Sequence, residues 1–159
     1  MKMSLIKIRQ AMPEESDALS QLALRAKAHW GYPDESLRQW RDELLITADA
    51  IRQRPTFVVD GDSGPAAVLQ IEPRTDPWQI ECLWVHPDAM RSGSGTALVR
   101  HAAGYARQNG QTRLAVDADP NAEAFYVALG AYRTGKVEAP VSGQPDRFRP
   151  QLLMDTQTL

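Results

Sequence analysis

Cysteine is nearly missing from this sequence: one residue, Cys82, in 159. A single thiol excludes an internal disulfide framework and any zinc site built from clustered cysteines. Long apolar runs are missing too, since none approaches the ~18 residues of a membrane-spanning helix. The stretch from Met1 to Gln10 lacks the apolar centre of a signal peptide, so a cytoplasmic location is expected. No charge of one sign dominates: 18 basic against 20 acidic side chains leave a net charge of -2. That balance gives neither the basic stripe of a nucleic-acid-binding surface nor a polybasic patch for acidic lipid. Neither nucleic acid nor membrane is expected as a partner. Repeats and low-complexity tracts are also lacking. What is present is a chain with 43% apolar and 24% charged residues, which fits one domain of ~150 residues. A chain of this length buries roughly two thirds of its surface on folding and needs no metal or disulfide staple. A single domain over 1–159, with its core at about 4–155, is the expectation.

Hydrophobic period divides the chain into elements. Ser4 to Gln10, with Leu5 apart from an Ile6/Ile8 alternation, predicts a short strand. Pro13, Glu14, Glu15 and Asp17 load acid into a first helical turn, and Leu19, Leu22, Ala23 and Ala26 follow at helical spacing, predicting a helix over 13–28. Asp34 caps a second helix running to about Thr47, with Leu37, Trp40, Leu44 and Leu45 on one face. The period then shortens. Strands are predicted at 56–59, 66–72 and 79–85, separated by turn chemistry at Asp60 to Gly64 and at Pro73 to Pro77. A helix over 96–108, ended by Asn109-Gly110, places Leu98, His101, Ala102, Tyr105 and Ala106 on one face. A strand at 112–116, a short helix from Asp119-Pro120 to Gly130, and two late strands at 131–137 and 148–155 complete the order β-α-α-β-β-β-α-β-α-β-β. The strand–loop–helix–strand unit at 79–116 predicts a right-handed crossover with parallel strands. The expected class is therefore α/β: a mixed, largely antiparallel sheet around one parallel β-α-β unit, with helices on both faces.

The stretch most informative about function runs from Val85 to Thr96 and holds Arg91-Ser92-Gly93-Ser94-Gly95 at a strand-to-helix junction. Glycines there let backbone N–H groups converge beside the positive end of a helix dipole, a place for an anion such as pyrophosphate. The alternative is a tight turn without a ligand. A dinucleotide fingerprint would need glycine at Leu98, and a P-loop would need a lysine that this loop lacks.

Leu83-x-Val85-x-Pro87 followed by Gly93-x-Gly95 resembles the acetyl-CoA loop of the GNAT-type N-acetyltransferase superfamily. The run Asn121 to Ala131, with Phe125-Tyr126 inside it, resembles that family's second signature. The resemblance covers about 4–137. It implies an acyl-CoA N-acyltransferase fold, acetyl-CoA as co-substrate, and transfer of acetyl to a primary amine by direct attack in a ternary complex. It places Met90, Arg91, Ser92, Gly93, Ser94, Gly95 and Thr96 at the pyrophosphate, with Leu83, Val85, Asn121 and Tyr126 along the pantetheine arm. Leu83 then offers its N–H to the thioester carbonyl, and Tyr126 protonates the leaving thiolate. Met90 stands where the family usually has Gln or Arg and cannot donate a hydrogen bond. Asn121 lies five residues before Tyr126, where the family's Asn commonly lies seven before; Asp119 holds that position.

Other polar residues have two readings each. Glu81 shares strand parity with Leu83 and Val85, which puts it on their face as a candidate base for the amine; otherwise it is a half-exposed strand carboxylate. Tyr126 is otherwise a packed aromatic. His29, Trp30 and Tyr32, between the first two helices, form either an acceptor-selecting wall or a packed corner. Cys82 is expected to point away from Glu81 and out of the site, as buried filler. His86 reads as a solvated loop residue and His101 as a core histidine, and no metal is expected because the histidines and Cys82 lack ligand spacing. The acceptor is a small-molecule or peptide amine. The late strands leave an edge on which a homodimer could form. The rival function is a non-catalytic acyl-CoA-binding regulatory module; a nucleotide-binding domain using the same loop is a third reading.

Overall fold

The computed structural model describes residues 6–73 and 76–159. Ser4 and Leu5, at the start of the first expected strand, lie outside them, as do Arg74 and Thr75 within the expected turn. The strands are β1 (Ile8–Gln10), β2 (Thr56–Gly61), β3 (Gly64–Glu72), β4 (Trp78–Val85), β5 (Arg113–Asp117), β6 (Tyr132–Glu138) and β7 (Phe148–Asp155). The helices are α1 (Ser16–Ala28), α2 (Asp34–Leu44), α3 (Ala48–Gln53), α4 (Ser94–Gln108) and α5 (Glu123–Ala128). The strands form one sheet in the order β1-β2-β3-β4-β5-β7-β6. Every neighbouring pair is antiparallel except β4 and β5, which are parallel across the α4 crossover. The mixed α/β architecture expected from the sequence is the one observed.

The two faces of the sheet are covered differently. On one, α4 presents Gly95, Leu98, Val99, Ala102, Ala103 and Ala106, all buried, to Leu69, Ile71, Ile80, Leu114, Val116, Leu152 and Met154. This stripe recurs at three and four residues, as an amphipathic helix should. It is rotated from the expected one: Val99 and Ala103 replace His101 and Tyr105. His101 is not a core residue but an exposed one whose ring packs edge-on against Phe57 at 4.5 Å. On the other face a smaller apolar cluster joins Leu19 and Leu22 of α1 with Ile46, Ile51, Val58 and Val68, and Cys82 and Trp84 pack against it.

The segment after α2 also departs from expectation. The helix stops at Leu44 rather than near Thr47, and a further helix, α3, follows. Ser20 of α1 takes hold of the intervening backbone, accepting from the Ile46 N–H at 2.9 Å, while Ser16 Oγ donates to the Ile46 carbonyl at 2.7 Å. Thr47 then caps α3 by accepting from the Ala50 N–H at 3.1 Å. Leu45 is consequently exposed and Ile46 buried. A helical period read along α2 had no access to those serines, which come from another helix.

Candidate active site

The parallel pairing of β4 with β5 is short: Trp78, Gln79 and Ile80 lie beside Leu114, Ala115 and Val116, and the ladder ends there. At the same point β4 changes register against β3, because Ile71 pairs with Ile80 and Gln70 with Cys82, leaving Glu81 as an extra residue. Such a bulge bends a strand and resets its side-chain alternation. Ile80 and Leu83 therefore both serve the α4 face although they are three apart, whereas Cys82 and Trp84 serve the α1 face. This corrects the parity argument for Glu81, which assumed an unbroken period of two from Glu81 to Val85. Glu81 nevertheless lines the cleft, exposed.

The same ladder shows which backbone groups are left over. The His86 N–H donates to the Ala66 carbonyl at 2.7 Å. In an antiparallel pair every second opposed couple is hydrogen-bonded and the others turn their groups outward. With the register unbroken from Ala67–Val85 to Gln70–Cys82, the bonded positions of β4 are Cys82, Trp84 and His86. The N–H groups of Leu83 and Val85 point the other way, to the side that β5 occupies at Ile80 and has vacated beyond it. A cavity of about 1010 Å³ opens in this split, walled by Leu83, Val85, Phe125 and Tyr126 among others.

At one end of the cavity lies the loop between β4 and α4. The N–H groups of Ala89, Met90 and Ser92 are taken by the carbonyls of His86, Pro87 and Ala89, and that of Ser94 by Ser92 Oγ at 3.3 Å. The first N–H of α4 to reach a backbone carbonyl is that of Ala97, on Gly93 at 3.0 Å. The N–H groups of Arg91, Gly93, Gly95 and Thr96 have no backbone acceptor among the described residues. All four residues line the cavity, as does Met90, whereas Ser92 and Ser94 do not. The expected run of donors over 91–96 thus narrows to four, because the two serines bond within the loop. Left-handed backbone at Arg91 (φ 66°) and Gly93 (φ 90°) produces the alternation that turns these N–H groups to one side. Gly95 is needed for closeness: a Cβ there would lie 3.3 Å from the Phe125 ring and 3.5 Å from Val85.

Tyr126 is buried at 3% exposure and lines the cavity. Burial raises its phenol above the ordinary value, with Cys82 close enough to add to the effect. Cys82 itself lines the cavity, contrary to the expectation that it points away from the site. The bulge is the cause, since it brings Glu81 and Cys82 together opposite Gln70. Burial pushes the Cys82 thiol up to about 12, so it stays protonated and non-nucleophilic near neutral pH.

The far wall is a charged cluster that sequence reasoning did not anticipate. Asp119, the cap of the turn before α5, accepts from the Asn121 N–H at 2.8 Å and from the Tyr32 hydroxyl at 2.9 Å. It pairs with Lys27 of α1 and with Arg147, just before β7, at 3.3 Å. Arg147 also donates to the Tyr32 oxygen at 3.1 Å and to the Ala139 carbonyl at 2.8 Å. Lys27 and Arg147 both sit over the rings of Tyr32 and Trp40, at 4.6–5.2 Å from their centres. Burial alone would raise the Asp119 carboxyl, but Lys27 and the donated hydrogen bonds bring it below the usual carboxylate range. Burial lowers Lys27 despite that same partner, and Arg147 and Arg149 lower it further. Aspartate, lysine and arginine this far apart in sequence carry no shared local pattern; only folding joins them.

The three residues expected to wall the acceptor pocket separate. Trp30 lines the cavity and is exposed. Tyr32 is buried within the Asp119 cluster, and His29 is exposed against Trp30, off the cavity wall. Asn121 lines the cavity, but its Nδ2 already donates to Tyr32 Oη at 3.1 Å and to Asp119 at 2.8 Å, which leaves the carbonyl oxygen for a ligand. His86 is a half-buried loop residue whose Nδ1 accepts from the Asp88 N–H at 3.1 Å.

Among solved structures this fold is similar to a GCN5-related N-acetyltransferase from Rhodopseudomonas palustris, with 20% identity, 98% of each chain covered and a TM-score of 0.80. It is also similar to the PaiA N-acetyltransferase of Thermoplasma acidophilum, solved with coenzyme A, with 14% identity over 96% of this chain and 99% of that one, at a TM-score of 0.71. The ribosomal-protein-S18-alanine N-acetyltransferase of Escherichia coli matches with 16% identity, 96% and 94% coverage and a TM-score of 0.71. No curated protein matches the sequence significantly. The model of the acetyltransferase (GNAT) family matches residues 17–131, the span from α1 past α5 that holds the split strands and the glycine loop, and the chain belongs to that family.

Proposed function

We propose that this protein moves an acetyl group from acetyl-CoA to a primary amine by direct attack within a ternary complex. The observation that carries the reading is the continuity of unused backbone donors. Those of Leu83 and Val85 face the split between β4 and β5, and the strand leads straight into the four free N–H groups of the loop. A pyrophosphate suits the N–H groups of Arg91, Gly93, Gly95 and Thr96, which the α4 dipole reinforces. Val85 offers sheet-like pairing to an extended amide-bearing arm. Leu83 N–H then donates to the thioester carbonyl oxygen as negative charge develops there, and a fixed backbone donor of this kind is worth ~10²–10³ in rate.

Tyr126 supplies the proton that the departing sulfur needs. Its burial keeps the phenol protonated, and the same burial disfavours a thiolate beside it, so both acids move upward together. Glu81, on the bulge and exposed to the cleft, takes the proton from the acceptor ammonium directly or through water. A pH–rate profile for Glu81→Gln that matched the unaltered protein would exclude Glu81 from that role. Cys82 is held as the thiol, which favours direct transfer over an acyl-cysteine step. No helix among the described residues is long and apolar enough to cross a membrane. β6 lies at the open edge of the sheet, where a second copy would pair if the protein is a dimer.

The test is thermal unfolding with acetyl-CoA, with NAD and ATP as controls, followed by an amine screen that reads thiol release. A ligand at about 100 times its Kd adds ~2.7 kcal/mol, several degrees for a domain of this size. A shift with acetyl-CoA alone and thiol release on an amine are the expected results. A shift without transfer to any amine would make the protein an acyl-CoA-binding module, and no shift would overturn the reading.

A further inference from the structure

One wall of the cavity carries more positive charge than it can neutralise. Lys27, Arg147 and Arg149 all line it, and Asp119 is the carboxylate that Lys27 and Arg147 share. The side chains of Lys27, Asp119 and Arg147 are 9%, 8% and 4% exposed, so solvent screens them poorly. Arg147 and Arg149 stand two apart and turn to the same face, while Phe148 between them lies under Arg133 and Lys136. Arg147 is saturated by Tyr32, Ala139 and Asp119. Arg149 differs: it is exposed to the cavity, close enough to depress the Lys27 ammonium, and no ion pair engages it among the described residues. A second anion is what this wall lacks.

Carboxylates without an ion pair line the cavity as well. Glu81 on the β4 bulge and Glu43 near the end of α2 line the cavity, exposed, and neither has an ion-pair partner among the described residues. Asp117, the remaining carboxylate of the cavity lining without an ion pair among the described residues, stands opposite Gln151 on β7. Glu81 adjoins Cys82, and through it Tyr126, where the amine must arrive. The aromatic faces that would otherwise attract a ligand cation at the far wall, those of Tyr32 and Trp40, are already covered by Lys27 and Arg147. Among the described residues an unpaired carboxylate, Glu81, thus stands beside the reacting atoms, and an unpaired guanidinium, Arg149, stands at the Lys27–Arg147 wall.

We propose that the acceptor is an amine that also carries a carboxylate, an amino-acid-like zwitterion whose carboxylate is received by Arg149 against the Lys27–Arg147 wall. The proposal rests on the acetyltransferase reading and adds the substrate class to it. A charge-assisted hydrogen bond contributes ~1.5–3 kcal/mol, so losing Arg149 should weaken use of such an acceptor by about tenfold to a hundredfold. Thiol release from acetyl-CoA is followed with leucine, phenylalanine, methionine and glutamate, each beside its carboxamide and its decarboxylated amine. At least one free acid should exceed both of its neutral counterparts tenfold or more in kcat/KM. Arg149→Gln should abolish that preference chiefly through KM, and Arg149→Lys should keep part of it. An unchanged acetyl-CoA thermal shift confirms that each variant is folded. Carboxamides or simple amines used as well as the free acids, no free acid accepted, or a preference that survives Arg149→Gln would each overturn the proposal and leave the acetyltransferase reading standing. Absence of the acetyl-CoA shift in the unaltered protein would overturn both, so the two failures are told apart.

Discussion

The two faces of the sheet are made of the same strands and serve different ends. Under α4 the buried layer is aliphatic and aromatic throughout, closed by a helix whose contact stripe is mostly alanine, leucine and valine. Under α1 and α3 the apolar cluster is small, and beside it lie Lys27, Asp119, Arg147, Gln70 and Glu72, all with side chains or residues at or below about a tenth exposed. Burying apolar area stabilises at ~25 cal/mol per Å² with no directional demand. Burying ions costs several kcal/mol each and is recovered only by good geometry. The first face is thus tolerant and stabilising; the second is exacting, and its charges stand where a ligand would meet them.

Substitutions can break or sharpen that contrast. Asp119→Asn should have the largest effect, about 3–5 kcal/mol lost in urea unfolding, because it leaves Lys27 and Arg147 buried without a counter-charge. Acid should reproduce part of the loss. Asp119 has its folded-state pKa below the ordinary 3.8, so the unfolded chain takes up the proton first as pH falls. Its contribution is whole above about pH 4 and disappears as pH drops through the folded-state value. If Asp119→Asn proved neutral, the exacting character of that face would be wrong.

Leu98→Ala tests the tolerant face. Leu98 is fully buried, and its truncation should cost about 2–5 kcal/mol, through lost burial and the cavity left behind, while acetyl-CoA affinity in the folded protein stays unchanged. Tyr126→Phe should cut turnover at least tenfold, about 1.4 kcal/mol in the barrier, with little change in acetyl-CoA affinity by calorimetry. Unaltered turnover would reduce Tyr126 to a packed aromatic. Gly93→Ala should be mildest, costing about 1 kcal/mol because the residue holds φ at 90°, and its Cβ would meet Ile6 at 3.4 Å. Its acetyl-CoA affinity should fall as the loop donors shift, and an unchanged affinity would detach Gly93 from the anion site.

Most of the fold was legible because hydrophobic period reports burial directly. The strand at 148–155, the turn at Asp60 to Gly64 and the helix closed by Gly110 all follow from local chemistry. The glycine loop was legible for a related reason: left-handed backbone and close approach call for glycine, so Gly93 and Gly95 mark the position themselves. Three things were not. The bulge at Glu81 carries no glycine or proline to announce it and arises where β4 must pair with β3 on one side and leave β5 on the other. The break at Leu45 depends on Ser16 and Ser20 of α1. The burial of Tyr32 depends on Asp119 and Arg147, which lie 87 and 115 residues away.

By itself, then, the sequence determined the class of fold, the order of its elements apart from α3, the place of the glycine loop and the two motifs that resemble the family's signatures. These rest on interactions within a few residues, where spacing alone carries the information. Tertiary structure alone decided which N–H groups of the loop and of β4 stay unpaired, that Cys82 enters the cleft as a protonated thiol, and that one wall joins Lys27 and Arg147 on Asp119 with Arg149 nearby. Those outcomes depend on long-range pairing and on the low dielectric that burial creates, and neither exists until the chain has closed on itself.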